Sequence, residues 1–378
     1  MTKQCDIILL SYESPQLLVK CVKSILESTR VRSRLIIVDN ASRDPEVRNY
    51  LVSLSGNDTV SVEKVFSDRN VGFAGGMNKG MRLSTAPFVC LMNNDCVVTN
   101  GWLDEMIAIA GRDPAIGIVN PQSSTFGSFP EKGVTLNGHA AILSAKRGMY
   151  VELGHAIGFA CLIKREVIDK IGMLDEVYRG VCYEDTDFSV RASIAGYISV
   201  MAEGAYVLHY EQASRRALAG KREIYARNKS IFESKWGKLL RILYDGDRRR
   251  GAPGHGYIEQ YETLKKLARK RAMIDMFVPS PHILERDMRF RKHSDISLRR
   301  AGIVFQGFAM FWKVLTKKKK YDAVILRKGI LWAALSVLSP IHKARVFALR
   351  DGDVITCKGI KFGLGDPGVF VEFLRLSS

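Results

Sequence analysis

The chain has no CxxC pair, and its seven cysteines follow no regular spacing. That argues against a disulfide framework or a zinc site and suits a reducing compartment. No run reaches the ~20 apolar residues a helix needs to span a bilayer. The apolar stretch at residues 7–10 is short and lacks a basic lead-in, so no signal peptide is expected. Two nucleotide fingerprints are missing. The first predicted strand runs into Ser11-Tyr12-Glu13-Ser14-Pro15 rather than GxGxxG, and GxxxxGK[ST] does not occur. A dinucleotide-binding Rossmann domain is set aside on that ground.

Acidic residues are scarce relative to basic ones, 39 against 57, giving a net charge of +18. The imbalance is local. Residues 246–378 hold 27 Lys and Arg against 12 Asp and Glu, a charge of +15; residues 1–245 hold 30 against 27, or +3. A near-neutral front and a basic back predict two parts with different partners.

What is present in the first 120 residues is an alternation of strands and helices. Residues 6–11, 35–39, 60–66 and 88–92 read as strands. Several carry Val, Ile and Leu consecutively, as parallel strands buried on both faces do. Residues 16–28 have helical spacing, with Leu17, Leu18, Cys21, Val22, Ile25 and Leu26 on one face. Strands alternating with helices predict an α/β fold with a parallel sheet, whose ligands sit beyond the carboxyl ends of the strands. Polar residues stand at those ends: Ser11-Tyr12, then Asp39-Asn40-Ala41-Ser42, then the stretch from Asn70 through Gly72, Gly75 and Gly76 to Asn78, then Asn93-Asn94-Asp95. Each alone is ordinary turn chemistry; four in succession predict a binding rim. The glycines leave two readings open: backbone approach to a ligand, or close packing of a helix on the sheet.

The scarce acids gather once. Glu184, Asp185 and Asp187 fall within four positions at the start of a predicted helix. Such a cluster serves a metal, a cation or a proton transfer, or caps the helix N-terminus.

In this order the motifs resemble the inverting family 2 glycosyltransferases with the GT-A fold, and within them the rhamnosyltransferase-like branch. The matching pieces are Ile37-Val38-Asp39-Asn40-Ala41-Ser42, the Asn70 to Asn78 segment, Leu91-Met92-Asn93-Asn94-Asp95, residues 158–165, residues 174–197, Val207-Leu208-His209-Tyr210, and Phe232 with Lys235-Trp236-Gly237. The resemblance covers roughly residues 5–240 and implies a transfer of sugar from a nucleotide-diphosphate donor to a hydroxyl. It implies Asp185 as catalytic base, with Glu184 and Asp187 as neighbours that tune it or hold the acceptor; like charges nearby raise proton affinity, which suits a general base. It implies Ser11, Tyr12, Asp39, Asn70, Gly75, Asn78, Asn94 and Asp95 around the nucleotide sugar, with Tyr12 placed to stack on the base. For Asn70 and Asn78, loop and helix capping is the equal alternative. It implies a divalent cation, Mg²⁺ or Mn²⁺, held by Asp95 and His209. Arg191, one turn past Asp187, is expected to pair with the acids structurally. Two positions depart from the family pattern: Glu13 stands where Asn is frequent, and Asn93 replaces the first acid of the usual DxD. The branch implies dTDP-rhamnose, with a UDP-sugar as the other donor, and a glycan or lipid-linked saccharide acceptor in surface polysaccharide synthesis. A non-catalytic nucleotide- or glycan-binding scaffold is the alternative, favoured only by Asn93.

Three regions are expected: a catalytic domain over residues 1–245, a basic helical region over 246–350, and a short β segment over 351–378. The middle region begins with Arg248-Arg249-Arg250 and a Gly/Pro linker. It continues with a basic helix over 258–277, an apolar run over 301–315, Lys317-Lys318-Lys319-Lys320, and a second apolar run over 329–338. Apolar helices flanked by Lys and Arg predict association with an anionic membrane surface. No zinc finger, RNA-recognition signature or basic zipper is present, so nucleic acid is not the expected partner. A peripheral place at the cytoplasmic face of the plasma membrane follows as the expectation. Residues 353–362 and 369–374 read as short strands, either a hairpin or the start of a further domain.

Overall fold

The computed structural model describes residues 4–180, 182–210, 220–246, 255–278, 281–285, 290–300, 306–318, 320–350, 353–356 and 359–376. The chain forms two compact units, Met1–Lys235 and Trp236–Ser378.

The first unit is built on a nine-stranded sheet. It opens with β1 (Cys5–Ser11), α1 (Pro15–Ser28), β2 (Ser33–Asp39), α2 (Pro45–Ser53), β3 (Val60–Phe66), α3 (Gly72–Leu83) and β4 (Phe88–Asn93). These strands pair in parallel with β1 between β2 and β4. All seven residues of β1 are buried, as the unbroken apolar run requires of a strand covered on both faces. Its side chains alternate between two cores. Ile7 and Leu9 pack with Leu18, Val22 and Ile25 of α1; Ile8 and Leu10 pack with Ala74, Met77 and Met81 of α3. Pro15 presets the first turn of α1. The glycines of α3 resolve toward packing. A Cβ at Gly76 would lie 2.3 Å from Leu10 Cδ1, and one at Gly80 would lie 2.4 Å from Ile8 Cγ2. The helix sits that close to the sheet because those positions carry no side chain.

The rest of the unit adds β5 (Cys96–Val98), α4 (Trp102–Ala110), β6 (Ile116–Gln122), α5 (Leu136–Leu143), β7 (Tyr150–Leu153), β8 (Cys161–Lys164), α6 (Arg165–Ile171), α7 (Glu184–Ile194), β9 (Ile198–His209) and α8 (Lys221–Trp236). The strand order is β3-β2-β1-β4-β8-β6-β9-β5, with β7 also on β9. β8 is antiparallel to both β4 and β6, so the sheet is mixed beyond its parallel half.

The second unit corrects the expectation of a basic helical region and the boundary at residue 245. It is itself an α/β unit on a seven-stranded sheet. Its elements are β10 (Leu240–Asp245), α9 (His255–Arg269), β11 (Ala272–Val278), α10 (His282–Glu285), β12 (Ile296–Arg300), α11 (Gln306–Thr316), β13 (Ala323–Arg327), α12 (Ile330–Val337), α13 (Ser339–His342), β14 (Arg345–Arg350), β15 (Asp353–Ile355), β16 (Lys361–Gly363) and α14 (Gly368–Leu376). Strand order is β12-β11-β10-β13-β14-β15-β16. The first five are parallel and the last two antiparallel. The predicted helix over 258–277 breaks at Arg271, whose φ is 68°, and its remainder is β11, completely buried except for the Met273 side. Residues 369–374 are helical, not a strand. Their apolar residues Phe370, Val371 and Leu374 cover the sheet from one helix face. The expected pairing of 353–362 with 369–374 is therefore replaced by one inside the first segment, where β15 pairs antiparallel with β16. Arg248 to Arg250, Lys319 and most of the Gly/Pro linker lie outside the described residues.

Candidate active site

At the carboxyl ends of β1, β2 and β4 stand Ser11, Asp39 and Asn93. Because β1 separates β2 from β4, their ends form the crevice where open α/β sheets bind ligands. The turns here are tightly built. Asp39 Oδ1 accepts from Ser42 Oγ at 2.6 Å and from Ser42 N at 3.3 Å, which fixes the carboxylate at the strand end. Glu13 and Ser14 have φ of 52° and 57°. The Glu13 carboxylate spans across, accepting from Arg43 N at 3.0 Å and Asp44 N at 3.1 Å. Glu in place of Asn at this position thus ties the first rim loop to the second. Tyr12 is exposed beside them, and Ser11 Oγ is buried with no partner. Asn94 Nδ2 reaches the carbonyls of Tyr12 and Glu13 at 3.5 and 3.4 Å.

Three predicted binding residues are engaged by the protein. Asn70 Oδ1 accepts from Asn40 Nδ2 at 3.0 Å and from Gly72 N at 2.9 Å, closing the turn into α3. Asn78 is buried and bridges to the chain 96 positions on: its Nδ2 donates to Leu174 O and its Oδ1 accepts from Leu174 N. Gly75 is buried, and a Cβ there would meet Val71 at 3.1 Å. Asn70 thus closes a turn, and Asn78 ties α3 to the chain at Leu174 rather than capping a helix.

Asp95 and His209 come together through strand pairing. Cys96 of β5 faces His209 of β9 in antiparallel register, so the residue before Cys96 lies beside the imidazole. Nε2 of His209 is 3.2 Å from Asp95 Oδ1 and 3.5 Å from Asn93 Nδ2. Asp95 is 1% exposed, yet neither carboxylate oxygen has a hydrogen-bond partner; Asn93 Oδ1 and His209 Nδ1 are orphaned as well. Buried unpaired acceptors cost ~1–3 kcal/mol each; Asp95 Oδ2 and Asn93 Oδ1 have no partner and Asp95 Oδ1 has only the imidazole beside it, an arrangement that suits a cation. Asp95, Cys96 and His209 present ligand atoms within 4.8 Å of one another. Burial pushes the Cys96 thiol well up; beside it stand carboxylate and amide oxygens and the imidazole as donors. That set fits a hard or borderline divalent ion. Asn93, in place of an acid, supplies an amide oxygen.

The acidic cluster separates into three environments. Asp185 Oδ2 accepts from Gly158 N at 2.9 Å, and Oδ1 from Thr186 N at 2.6 Å. The carboxylate is therefore oriented by backbone. Asp187 is fully buried in an ion-pair cluster, with Arg191 Nε and Lys235 Nζ each at 2.8 Å and Tyr178 Oη at 3.2 Å. The expected pairing of Arg191 with Asp187 is present. Glu184 is buried, with Oε2 unpartnered. Burial first, and then the neighbouring Asp185 charge, push its carboxyl up to about 8.

Sequence reasoning did not assign roles to the residues that join these groups. Phe159 stacks on His209 with centroids 4.8 Å apart and planes 12° from parallel. Its neighbour Gly158 donates to Asp185. Residues 158–159 thus touch the base candidate and the metal candidate from one short strap. Asn120 holds that strap by donating to Ile157 O and Phe159 O. The approach to α7 is strained: Cys182 and Tyr183 have φ of 79° and 78°. Asn228 of α8, wholly buried, donates to Arg179 O and Cys182 O and so holds that approach. Strain held this way is characteristic of functional sites. The signal for residues 158–159 lay in the motif itself; nothing in the sequence marked Asn228.

Comparison with known proteins agrees with this geometry. Residues 6–172 match the family model "Glycosyl transferase family 2". The matched residues run from β1 through α6 and so include the rim at the ends of β1, β2 and β4. The chain is 30% identical over 230 residues to the uncharacterized protein y4gI of Sinorhizobium fredii, covering 57% of this chain and 25% of that protein. It is 28% identical over 233 residues to the O-antigen biosynthesis protein RfbC of Myxococcus xanthus, covering 57% and 18%. The chain thus spans about a quarter or less of the length of these relatives. Similar solved structures include GalNAc-T7 with UDP, GalNAc and Mn²⁺ (TM-score 0.48, 15% identity, 63% of this chain and 51% of that one). Another is the mannosyltransferase PcManGT of Pyrobaculum calidifontis with GDP-Man and Mn²⁺ (TM-score 0.45, 16% identity, 61% and 63%).

Proposed function

We propose that the protein is an inverting, metal-assisted glycosyltransferase that moves a sugar from a nucleotide-diphosphate donor to a saccharide hydroxyl. The observation that carries the reading is the pairing of an oriented carboxylate, Asp185, with the orphaned donor set of Asp95, Asn93 and His209, joined by residues 158–159. Asp185 takes the proton of the acceptor hydroxyl as its oxygen attacks the anomeric carbon. The bond from that carbon to the diphosphate oxygen breaks, and the nucleoside diphosphate leaves. Asp95 and His209 would hold a divalent ion, which would supply Lewis-acid stabilisation of the leaving diphosphate. Asp39 and Tyr12 hold the nucleotide, with the carboxylate accepting hydrogen bonds and the exposed ring stacking on the base. The O-antigen relative supports a role in surface polysaccharide assembly, and the branch resemblance favours dTDP-rhamnose over a UDP-sugar. A transfer and hydrolysis assay against dTDP-, UDP- and GDP-sugars, with and without Mn²⁺, tests this: turnover of one donor class that depends on the ion supports it. No turnover of any donor favours the non-catalytic scaffold.

We also propose that the second unit rests on an anionic membrane surface, at the cytoplasmic face of the plasma membrane. No described helix is long and apolar enough to cross a membrane. Phe308 and Trp312 of α11, Ile330 and Val337 of α12 and Ile341 of α13 are nevertheless exposed, and Lys318, Lys320 and Lys328 lie near them in sequence. Exposed apolar tips among lysines suit an anionic interface. Co-sedimentation with phosphatidylglycerol vesicles that fails for Phe308→Ser/Trp312→Ser supports the reading; equal sedimentation of both proteins contradicts it.

A further inference from the structure

One carboxylate of the second unit has more partners than it can neutralise. Asp275 lies in the middle of β11 and is 6% exposed. Its Oδ1 accepts from Arg299 Nε at 2.7 Å. Its Oδ2 meets Lys317 Nζ at 2.9 Å, Lys313 Nζ at 3.2 Å and the hydroxyl of Tyr321. Three cations share one acid, which leaves a surplus of two positive charges. Among the described residues no second acid pairs with any of the three.

These are not loose surface side chains. Lys313 and Lys317 stand one turn apart at the end of α11, and each side chain is only 26% exposed. The Lys313 ammonium lies 5.5 Å from the centre of the Phe277 ring, and that of Lys317 lies 4.1 Å from the centre of the Tyr321 ring. Aromatic faces thus fix both ammonium groups. Arg299 comes from β12, the edge strand. The arrangement has a cost, because like charges four positions apart destabilise a helix. Service to the carbonyls at the end of α11 does not explain it, since Lys320 takes Leu315 O. Burial, and behind it the charges of Arg299 and Lys317, push the Lys313 ammonium down although Asp275 is beside it. Donors are in surplus as well as charge. An ammonium offers three N–H groups and a guanidinium five, and Asp275 engages one nitrogen of each. The terminal nitrogens of Arg299 have no partner among the described residues.

We propose that Arg299, Lys313 and Lys317 form a binding site for a phosphomonoester. Its two negative charges match the surplus, and its oxygens accept from the outer N–H groups, with the guanidinium fork of Arg299 suited to two of them. Asp275 holds the three cations in place from the sheet side and does not touch the ligand. A soluble polyol phosphate and the headgroup of phosphatidic acid present the same dianion. The site uses none of the residues assigned to sugar transfer or to the exposed tips of α11, α12 and α13.

Calorimetric titration of the full chain tests the site, at fixed ionic strength and at about pH 8, above the second phosphate pKa of about 6. EDTA is present so that no metal at Asp95 captures the probe. The probes are inorganic phosphate, glycerol phosphate and phosphatidic acid vesicles. Phosphatidylglycerol vesicles, whose phosphodiester carries one charge, are the control. Saturable binding of at least one phosphomonoester probe is expected, unchanged by Asp95→Ala and weakened ~10-fold or more by Arg299→Gln/Lys317→Gln. Binding of glycerol phosphate identifies a soluble ligand; binding of phosphatidic acid vesicles alone identifies a lipid headgroup. The double variant keeps Lys313 and Tyr321 on Asp275, and circular dichroism checks that it folds. Should it not fold, Arg299→Gln alone decides, at an exposed edge position. No saturable binding of any phosphomonoester probe, or binding that the deciding variant leaves unchanged, overturns the proposal and reduces the cluster to a structural ion-pair network.

Discussion

Removal of the Asp187 charge separates structure from chemistry in the acidic cluster. Asp187 is fully buried between Arg191 and Lys235, each 2.8 Å away. Deleting one partner of a buried pair typically costs ~3–5 kcal/mol. Two features reduce that figure here. The Lys235 side chain is 35% exposed and keeps Asp175 at 3.0 Å, so water and a second acid compensate it. Arg191 keeps the carbonyls of Ile171 and Met173 at 2.7 and 2.8 Å. Asp187→Asn is therefore expected to cost ~2–3 kcal/mol. For a unit of this size that is about 5–10 °C in Tm, read by circular dichroism on heating. Adding Lys235→Met should recover part of the loss, because it removes the cation left behind. The reasoning is refuted if Asp187→Asn melts with wild type while sugar transfer falls by ~100-fold or more, since Asp187 would then act in the chemistry.

Further expectations follow from other parts of the first unit. Gly80→Ala should destabilise by ~1–3 kcal/mol, and by more than Gly76→Ala, because Ile8 is β-branched on a central strand and Leu10 can swing aside; urea unfolding measures both. Burial and then the Asp185 charge raise the Glu184 carboxyl to about 8, from an ordinary value of 4.5. The folded state then holds a proton that the unfolded state has lost, so stability declines as pH rises from about 4.5 through about 8. Glu184→Gln should flatten that decline across the same window in urea titrations; parallel curves would contradict it. Asp95→Ala should abolish Mn²⁺ binding read by electron paramagnetic resonance, with Asn93→Ala weakening it; undiminished binding in Asp95→Ala would place the ion elsewhere.

The parallel half of the first sheet was legible because fully buried strands leave unbroken Val, Ile and Leu runs; β1, β2, β3 and β4 lie within two residues of their predicted bounds. The rim was legible for the same reason, since polar residues interrupt those runs at the strand ends. The tasks of individual rim residues were less so. Asn78 finds its partner 96 positions away at Leu174, and no local pattern announces that meeting. The second unit was misread because β10 and β13 are short, and because β11 continues the apolar spacing of α9 across the single turn at Arg271. Its helices α11 and α12 were found, but a membrane reading of their apolar residues hid the face that packs on β13 and β14.

The central claim is that Asp185 removes the acceptor proton while Asp95 and His209 serve the donor diphosphate. Asp185→Asn keeps the size of the side chain and removes its basicity, but its single amide oxygen can accept from only one of the two N–H groups, Gly158 or Thr186, that the carboxylate serves. The measurement is transfer rate and nucleotide affinity of Asp185→Asn beside wild type, on the donor that wild type accepts. The account predicts a fall in kcat of ~10²–10⁴-fold, typical of a lost general base, with nucleoside diphosphate binding unchanged and a stability loss limited to the ~1–3 kcal/mol of one lost backbone hydrogen bond. Transfer at the wild-type rate by Asp185→Asn would contradict it.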